Sequence, residues 1–525
     1  MKTLYYNGPV YTMESPEPVQ ALLVENGRVV AAGNREELEA RRPQGRVNLD
    51  GRALLPAFID AHSHFSAVAN ALLQAPLDEA ASFQEIQERL ADFIRQGQVP
   101  PGQWVIAKGY DQNQLAERAH PTLALLDAAA PYNPLVAQHK SGHMAVFNSR
   151  ALEALGVTAG TPDPPGGRIG REGGRLTGYM EENASLSYLR QVPMPGMEDL
   201  LAAYQKAQAI YASHGIVTVQ EGMLVAELIP LYQGLLKSGL LKLDVAAYAD
   251  FNAWEALRAA FPGHLRGHAG NFRLAGRKIF LDGSPQGRTA WMTRPYLNGE
   301  PGYRGYPTMT DGAVYQALCQ SAQEGIQLLA HCNGDAAAAQ FLHAAELAAQ
   351  AYPALTRQRH VIVHAQLLRP GQLPAVKALG LIPSFFVAHV YHWGDVHLQN
   401  FGLERAAHIS PAGAARRAGA PFTFHQDAPV IQPDMLETVW CAACRKTKAG
   451  AVLGPDEAIP VYDALRAVTY WAAYQYFEEG EKGSLAPGKR ADLVLLDQDP
   501  LSVPLDGLRR ICVLETIKAG EPLWP

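Results

Sequence analysis

Both ends of the chain carry short runs in which apolar and polar residues alternate, as expected of half-buried β-strands. Near the start, Asn26-Gly27 separates two such runs, and because these residues tolerate positive φ, the pair is a strong signal for a tight hairpin turn. The same texture returns at 491–520. Because a few strands are only marginally stable alone, we predict that residues 1–55 and 482–525 combine in one small β-sandwich domain.

Between these ends the pattern changes to alternating strand-like and helix-like segments, which is typical of parallel βα units. A chain of 525 residues, 48% of them hydrophobic, has enough material for a barrel of eight such units. The stretch at about 66–204 interrupts the alternation and contains the Pro/Gly-rich segment 162–167, so we interpret it as a long insertion after the first barrel strand. The predicted fold is therefore α/β, a (β/α)8 TIM barrel over residues 56–481 with this insertion and the terminal β-sandwich.

A candidate metal site begins where the apolar run of residues 53–61 leads into His62-Ser63-His64. Side chains alternate along a strand, so His62 and His64 are predicted to project together. Two neighbouring imidazoles suit a divalent metal, whereas the alternative is a half-buried strand that carries two histidines without a ligand role. Further ligands at other strand ends would favour the metal.

Later segments place such residues at predicted strand ends, namely Lys278, His331, His364 and Asp427. Taken singly, each histidine could be a satisfied core residue and the aspartate a helix cap. The carboxyl ends of TIM-barrel strands converge at one mouth, however, so together the four indicate a shared site. Lys278 is predicted to face the barrel interior, where an unpaired cation is costly. It therefore either meets a carboxylate such as Asp282 or is chemically modified.

Charge and composition narrow the classes of partner. The formal net charge is −6, without a basic patch, so we expect no nucleic-acid partner. The N-terminus lacks the apolar core of a signal peptide and no apolar run is long enough to cross a bilayer, so we expect a soluble cytoplasmic protein without a membrane partner. Five scattered cysteines fit a reducing compartment, and Cys441-Ala-Ala-Cys444 is interpreted as part of a helix. A homodimer is left open.

On these residues the chain resembles the amidohydrolase superfamily over nearly its whole length. It is most similar to the branch that contains N-substituted formamide deformylases and related uncharacterised metal-dependent hydrolases. The shared motifs are specific only together, and they are residues 55–64, Ser141-Gly-His143 with Asn148-Ser149, Thr177-Gly178 with Glu182, Lys278 with Asp282-Gly283, His364-Ala-Gln366, Asp427-Ala-Pro429 and residues 482–494. The sequence departs from the branch at Ala57, where glycine is common, and at Cys332-Asn333 and Gln426 beside implied ligands. These departures bear on fine specificity more than on metal binding.

The resemblance implies a divalent metal cofactor and its ligands. His62 and His64 would bind one metal together with Asp427, and His331 and His364 would bind a second. Zinc is the default choice for such ligands, iron and manganese are alternatives, and a one-metal site stays open.

The resemblance also implies that Lys278 is N-carboxylated, so that the buried amine becomes a bridging anion. Water activated to hydroxide by the metal would attack the substrate, and Asp427 would act as general base and then as general acid. The implied reaction is hydrolysis of a C–N bond in a small amide-like substrate. Alternatives are a deaminase, a cyclic-amide hydrolase or a peptidase on the same site, and a non-catalytic ligand-binding barrel.

The substrate pocket is predicted from the aromatic segment 383–395, which resembles the part of this branch that faces the substrate. His389 is the candidate for a hydrogen bond to the substrate carbonyl or its oxyanion. The other candidates for substrate binding are Phe385, Phe386, Tyr391, Trp393, Tyr110, Asp111, Gln112, His143 and Arg288. If the aromatic residues line the pocket rather than fill the core, the substrate carries an apolar or aromatic N-substituent.

Overall fold

The computed structural model describes residues 2–140, 144–193, 195–265 and 267–525. The chain divides into two compact units, one formed by Met1–Ser66 with Ala207–Pro525 and the other by Ala67–Lys206. In chain order the strands are β1 (Lys2–Val10), β2 (Val19–Glu25), β3 (Arg28–Gly33), β4 (Gly45–Asn48), β5 (Ala53–Pro56), β6 (Phe58–Ile59), β7 (Gln74–Pro76), β8 (Val105–Tyr110), β9 (Leu135–His139), β10 (Met144–Phe147), β11 (Gly167–Glu172), β12 (Arg175–Glu182), β13 (Ile216–Leu224), β14 (Asp244–Asp250), β15 (Phe272–Phe280), β16 (Gln327–Cys332), β17 (Val361–His364), β18 (Ile382–Phe385), β19 (Thr423–Phe424), β20 (Leu493–Leu496), β21 (Val513–Lys518) and β22 (Glu521–Trp524).

The helices alternate with the central strands. They are α1 (Arg35–Glu39), α2 (Phe65–Ala71), α3 (Phe83–Gln96), α4 (Leu123–Ala129), α5 (Ser149–Ala154), α6 (Asn183–Leu189), α7 (Met197–Ser213), α8 (Ile229–Ser238), α9 (Trp254–Ala260), α10 (Asp311–Glu324), α11 (Asp335–Ala351), α12 (Leu373–Ala378), α13 (His389–Ala406, interrupted at Gly402), α14 (Ala412–Ala418), α15 (Met435–Cys444), α16 (Val461–Ala467) and α17 (Tyr470–Gln475). Both cysteines of the Cys441-Ala-Ala-Cys444 segment lie on α15, as the sequence predicts. Among the residues that the structure describes, no helix combines the length and the apolar character needed to cross a bilayer.

A curled parallel sheet forms the centre of the first unit. Its strands run in the order β6, β13, β14, β15, β16, β17, β18 and β19, and each neighbouring pair is parallel. The two outermost strands meet through the backbone segments that follow them. The N–H of His64 donates to the carbonyl oxygen of Ala428 at 2.9 Å, and the N–H of Asp427 donates to that of His62 at 3.3 Å. The predicted TIM-barrel-like α/β fold is confirmed.

The interior of this barrel is packed with side chains. Alternate residues of the strands contribute to one cluster, which consists of Ile59, Ala61, Ala246, Tyr248, Leu329, Val361, Val363 and Ile382, joined by Ala472, Ala473 and Tyr476 at and just after α17. The Tyr476 hydroxyl donates to the carbonyl oxygen of Asp60 at 2.8 Å, and this hydrogen bond links the cluster to the segment that follows β6. A filled interior leaves the carboxyl ends of the strands as the place for a functional site.

The two chain ends share a second sheet. Its order is β22, β21, β20, β5, β1, β2 and β3, with β4 paired to β1. The predicted hairpin at Asn26-Gly27 joins β2 to β3, and both residues have positive φ, 51° and 73°. The pairing of both ends in one sheet is therefore observed, while their arrangement as a sandwich stays a prediction.

A buried ion network joins this terminal sheet to the barrel. The Asp244 carboxylate, at the start of β14, is 1% exposed. It lies 2.8 Å from Lys482 Nζ, 2.6 Å from Arg490 Nη2 and 2.7 Å from Lys518 Nζ. Burial alone would raise the pKa of Asp244, but these three cations hold it well below its usual range.

The second unit has a sheet and helices of its own. The strand order is β11, β12, β10, β9, β8 and β7. One face of this sheet packs on α3 and α4 through residues such as Ile86, Leu90, Leu126 and Val105. This unit contains the predicted candidates Tyr110, Asp111 and Gln112, whereas His143 lies outside the described residues.

Candidate metal centre

His62 is held in one orientation by a hydrogen-bond chain beneath it. Its Nδ1 contacts the Gln220 side-chain oxygen, and the Gln220 amide nitrogen donates to Ala61 O at 2.7 Å and to the Tyr476 hydroxyl at 2.9 Å. Because an amide oxygen only accepts, Nδ1 of His62 carries the proton and the Nε2 lone pair is free for another partner. Burial, with a smaller contribution from Lys278, lowers the pKa of His62 well below its usual range and keeps the ring neutral.

The Asp427 carboxylate lies among three histidines. Its Oδ1 is 3.4 Å from His62 Nε2 and 3.5 Å from His64 Nε2, and its Oδ2 is 4.0 Å from His364 Nε2. Burial would raise the pKa of Asp427, but the neighbouring histidines, His364 first, hold it well below its usual range, so the group is a carboxylate. Within the described chain, Oδ1 is buried and receives no hydrogen bond.

His331 and His364 form the other side of the same mouth. His331 Nδ1 lies 3.2 Å from His364 Nε2. Val361 and Val363 point into the barrel, so strict alternation would send His364 to the outer face. His364 has a φ of 70°, a left-handed conformation that breaks the alternation and brings its ring to the mouth.

Lys278 reaches the centre of the cluster from β15. Its Nζ lies 3.2 Å from His62 Nε2, and the side chain is 1% exposed. Burial lowers the pKa of Lys278 to about 7, against an opposing effect of Asp427. Asp282 is not its partner, because both Asp282 oxygens accept backbone N–H groups, those of Trp291 (2.9 Å), Asn333 (2.9 Å) and Gly334 (2.7 Å).

These donors fit a divalent metal. Ligand atoms of His62, His364 and Asp427 all lie within 4.8 Å of one another. Burial lowers the pKa values of the His62, His331 and His364 rings, which favours the neutral form in which imidazole binds a metal. An ionised carboxylate oxygen without a hydrogen-bond donor, beside imidazole nitrogens, is the kind of set that zinc takes.

Comparison with known proteins decides the family. The profile of the amidohydrolase family matches residues 46–523. The chain belongs to the amidohydrolase family. As a member of this family it is a metal-dependent hydrolase, and the expected likeness to the superfamily is confirmed.

Individual relatives span almost the full chain. An N-substituted formamide deformylase of Arthrobacter pascens is 28% identical, over 95% of this chain and 94% of its own. The putative amidohydrolase YtcJ of Bacillus subtilis (strain 168) is 27% identical, over 100% of this chain and 99% of its own. An uncharacterised metal-dependent hydrolase of Pyrococcus horikoshii OT3 has a solved structure that matches with a TM-score of 0.79 and 27% identity, over 96% of this chain and 99% of that one.

In this amidohydrolase the predicted aromatic segment divides into two groups. Phe386 lies beside the candidate ligand His364 and its neighbour His425, with ring centroids 6.3 Å and 5.4 Å away. Phe386 also packs on His389 at 4.6 Å, and Trp393 packs on His389 at 4.5 Å. These contacts bring the predicted residues Phe386, His389 and Trp393 to one wall beside the metal site.

Phe385 and Tyr391 make other contacts. Phe385 is fully buried and packs on Phe422, because its neighbour Ser384 takes the inward position on β18. Tyr391 packs on Trp440 at 5.2 Å and lies under the Arg509 guanidinium at 4.6 Å. The prediction that Phe385 lines the pocket is therefore wrong, while a role of Tyr391 in substrate binding stays a prediction.

The remaining candidates are Arg288, Tyr110 and Gln112. Arg288 donates to Asn298 O at 2.5 Å. In the second unit, the Tyr110 hydroxyl lies 3.0 Å from His120 Nδ1, and the Gln112 side-chain oxygen is buried without a hydrogen bond in the described chain. The role of Arg288, Tyr110 and Gln112 in substrate binding stays a prediction.

Two residues outside the predicted site set contact the candidate ligands, namely Gln220 and His425, and Ser384 in turn contacts His425. His425 Nε2 lies 3.1 Å from His364 Nδ1, and Ser384 Oγ lies 3.0 Å from His425 Nδ1. A signal for His425 existed, because period-two alternation places it on the same side of its strand as Asp427. Ser384 lies in the mostly apolar run 381–388, whereas Gln220 shares one side of its strand with Thr218, an alternation that marks the side but not the contact with His62.

Proposed function

We propose that this amidohydrolase cleaves a C–N bond in a small amide-like substrate with an apolar or aromatic N-substituent. The observation that carries the proposal is the cluster of His62, His364 and Asp427 ligand atoms within 4.8 Å, beside Lys278 at the mouth of the barrel. The likeness to an N-substituted formamide deformylase over nearly the whole chain supports this substrate class.

The proposed metal ligands are those of the resemblance. His62, His64 and Asp427 would hold one divalent ion, and His331 and His364 a second, with zinc as the default metal. When bound, such an ion acidifies water and polarises a carbonyl group.

Lys278 would be N-carboxylated and bridge the two positions. A pKa of about 7 leaves much of the amine unprotonated near neutral pH, which is the form that reacts with carbon dioxide. The amine nitrogen would form a bond to the carbon of carbon dioxide and lose one proton to solvent. The product is a carbamate anion, which replaces a costly buried cation by a ligand.

Asp427 would serve as the proton carrier. It is ionised in this environment, so it can accept a proton from the attacking water and pass it to the departing amine nitrogen. His389 would donate a hydrogen bond to the substrate carbonyl. Its Nδ1 lies 3.1 Å from His397 Nε2, and if His397 donates there, the proton of His389 stays on Nε2 and is available.

The wall formed by Phe386 and Trp393 favours an apolar or aromatic substituent. Phe386 is 1% exposed and Trp393 is half-buried, so Trp393 offers the accessible ring surface. Burial of such a substituent against an aromatic ring contributes binding energy without a polar partner.

The test combines metal analysis with a substrate panel. Wild type, Lys278→Ala and Asp427→Ala would be assayed for zinc content and for hydrolysis of N-benzylformamide, dipeptides, cyclic ureas and aminoheterocycles, with the exposed-residue variants Lys237→Ala and Asp456→Ala as matched controls. We expect two metals per chain and activity on the formamide, loss of metal with Lys278→Ala and loss of turnover with Asp427→Ala. Turnover of only another member of the panel would assign a different amide or deaminase activity, and metal-free protein that stays inert after zinc and bicarbonate are added would contradict the proposal.

A further inference from the structure

A row of three buried side chains crosses the barrel mouth next to the metal site. Ser384 on β18, His425 after β19 and His364 at the end of β17 lie in sequence, with Ser384 Oγ 3.0 Å from His425 Nδ1 and His425 Nε2 3.1 Å from His364 Nδ1. Ser384 and His425 are completely buried and His364 is 4% exposed. Water therefore does not supply the partners of these nitrogens, and the protein must.

The hydrogen bonds of this row can run in only one direction if His364 is to bind a metal. The Nε2 lone pair of His364 must be free, so its proton must be on Nδ1. That N–H then donates to His425 Nε2, and the N–H at Nδ1 of His425 donates to the Ser384 hydroxyl oxygen. The opposite direction would put the proton on Nε2 of His364, pointing at His331 Nδ1 3.2 Å away, and would block the ligand position.

The backbone gives His364 little support of its own. Its φ of 70° lies in the left-handed region, which is unfavourable for a side chain with a Cβ, so neighbouring contacts must hold this conformation. The His425 ring supplies such contacts, with centroids 5.1 Å from His364 and 5.3 Å from His62. His425 thus touches both halves of the proposed ligand set.

We propose that His425, anchored by Ser384, is a positioning residue that fixes the tautomer and the ring orientation of His364. The inference rests on the proposed function, since it takes His364 as a metal ligand. Metal-binding histidines usually donate their second N–H to a carboxylate, a carbonyl or water. A neutral imidazole in that place orients His364 without adding negative charge, so the charge of the site is set by Asp427 and Lys278.

The test compares two substitutions at His425 that differ in whether the new side chain can accept a hydrogen bond from His364. His425→Gln keeps an acceptor near the position of Nε2, whereas His425→Leu keeps the bulk and removes the acceptor. Ser384→Ala removes only the anchor. Zinc affinity of each purified full-length variant would be measured by competition with a chromophoric chelator, and melting curves would verify that each variant folds.

We expect His425→Leu to weaken zinc binding about 10- to 100-fold, Ser384→Ala to weaken it less, and His425→Gln to retain most of the affinity. A packing role alone would give the reverse order, with Leu better tolerated than Gln, and would overturn the proposal. Wild-type affinity in both His425→Leu and Ser384→Ala would also overturn it. If His425→Leu does not fold, the zinc affinities of His425→Gln and Ser384→Ala are compared instead. Wild-type affinity in both variants would show that Ser384 does not orient His425.

His364→Ala separates this inference from the proposed function. If His364→Ala loses zinc while His425→Leu does not, only the positioning role fails. If His364→Ala keeps the full stoichiometry and affinity for zinc, the proposed metal site itself is wrong, and the positioning role fails with it.

Discussion

Replacing Gly222 with alanine should disturb the metal site through a single added methyl group. A Cβ atom at this position would lie 2.6 Å from His62 Cε1 and 2.7 Å from Ser63 O. Carbon atoms in contact prefer about 3.5–4.0 Å, so the ring or the strand must move by about 1 Å. The N–H of Gly222 donates to Ser63 O at 2.8 Å, so the backbone cannot yield without losing that hydrogen bond.

The cost should appear in two measurements. Overpacking of this kind lowers the free energy of unfolding by about 1–3 kcal/mol, which urea denaturation of the metal-free protein would measure. A shift of His62 away from Gln220 should also weaken zinc binding by about tenfold or more, which corresponds to about 1.4 kcal/mol or more.

Gly312 provides the matched control. It lies in the first turn of α10, and a Cβ there would meet open space. Gly312→Ala should therefore leave zinc affinity unchanged and stabilise the protein by up to about 1 kcal/mol through helix propensity. If Gly222→Ala behaves like Gly312→Ala in both assays, the close approach of Gly222 and His62 does not shape the site.

Three further predictions concern stability, specificity and the metal. Asp244→Asn removes the buried carboxylate shared by Lys482, Arg490 and Lys518, of which Lys482 keeps Glu478 and Arg490 keeps Asp492, so urea denaturation should show a loss of about 3 kcal/mol, the lower end for a broken buried ion pair. The pKa of Asp244 is lower in the folded than in the unfolded state, so its contribution to the free energy of unfolding is present above about pH 4 and is lost as the pH falls further. Asp244→Asn should therefore lose less stability than wild type on acidification. An unchanged dependence of stability on pH would contradict the network. Trp393→Ala should raise KM about tenfold for N-benzylformamide but little for N-methylformamide, and an equal rise for both would remove Trp393 from the substituent pocket. Chelator treatment should lower Tm and zinc should restore it, by about 3 kcal/mol of stabilisation at a hundredfold excess over Kd; an unchanged Tm would count against a metal bound by the folded state.

The mouth of the barrel was largely predictable from the sequence. His331 follows an apolar run, and Lys278 and Asp427 lie within or just after other predicted strands, whose carboxyl ends meet in a parallel barrel. Alternation alone would place the His364 side chain on the outer face of the barrel. Its left-handed backbone conformation instead turns the ring toward the mouth. His364 is proposed as a ligand through the family resemblance, whereas the backbone conformation that brings its ring to the mouth is seen only in the structure.

The direction of Phe385 could not be predicted for a related reason. All four residues of β18 are buried, so the strand shows no polar and apolar alternation that would distinguish its two faces. Ser384 faces inward and Phe385 outward, and a shift of one residue would exchange them. The strand β13 does alternate at Thr218 and Gln220, but it is buried along most of its length, so these two polar residues do not mark an exposed face.

If the proposed ligands hold a metal, the hydrogen bonds that close the barrel make metal loading depend on the last barrel strand. The segment with His62 and His64 pairs with the segment that carries Asp427, so the first and last barrel strands complete the site jointly. During synthesis the two histidines emerge long before their carboxylate partner, so the proposed set of six ligands is incomplete until the final barrel strand is made. We expect metal uptake to be a late event of folding. A fragment that ends before Asp427 keeps five of the six proposed ligands but lacks the hydrogen bonds that hold the first and last barrel strands together.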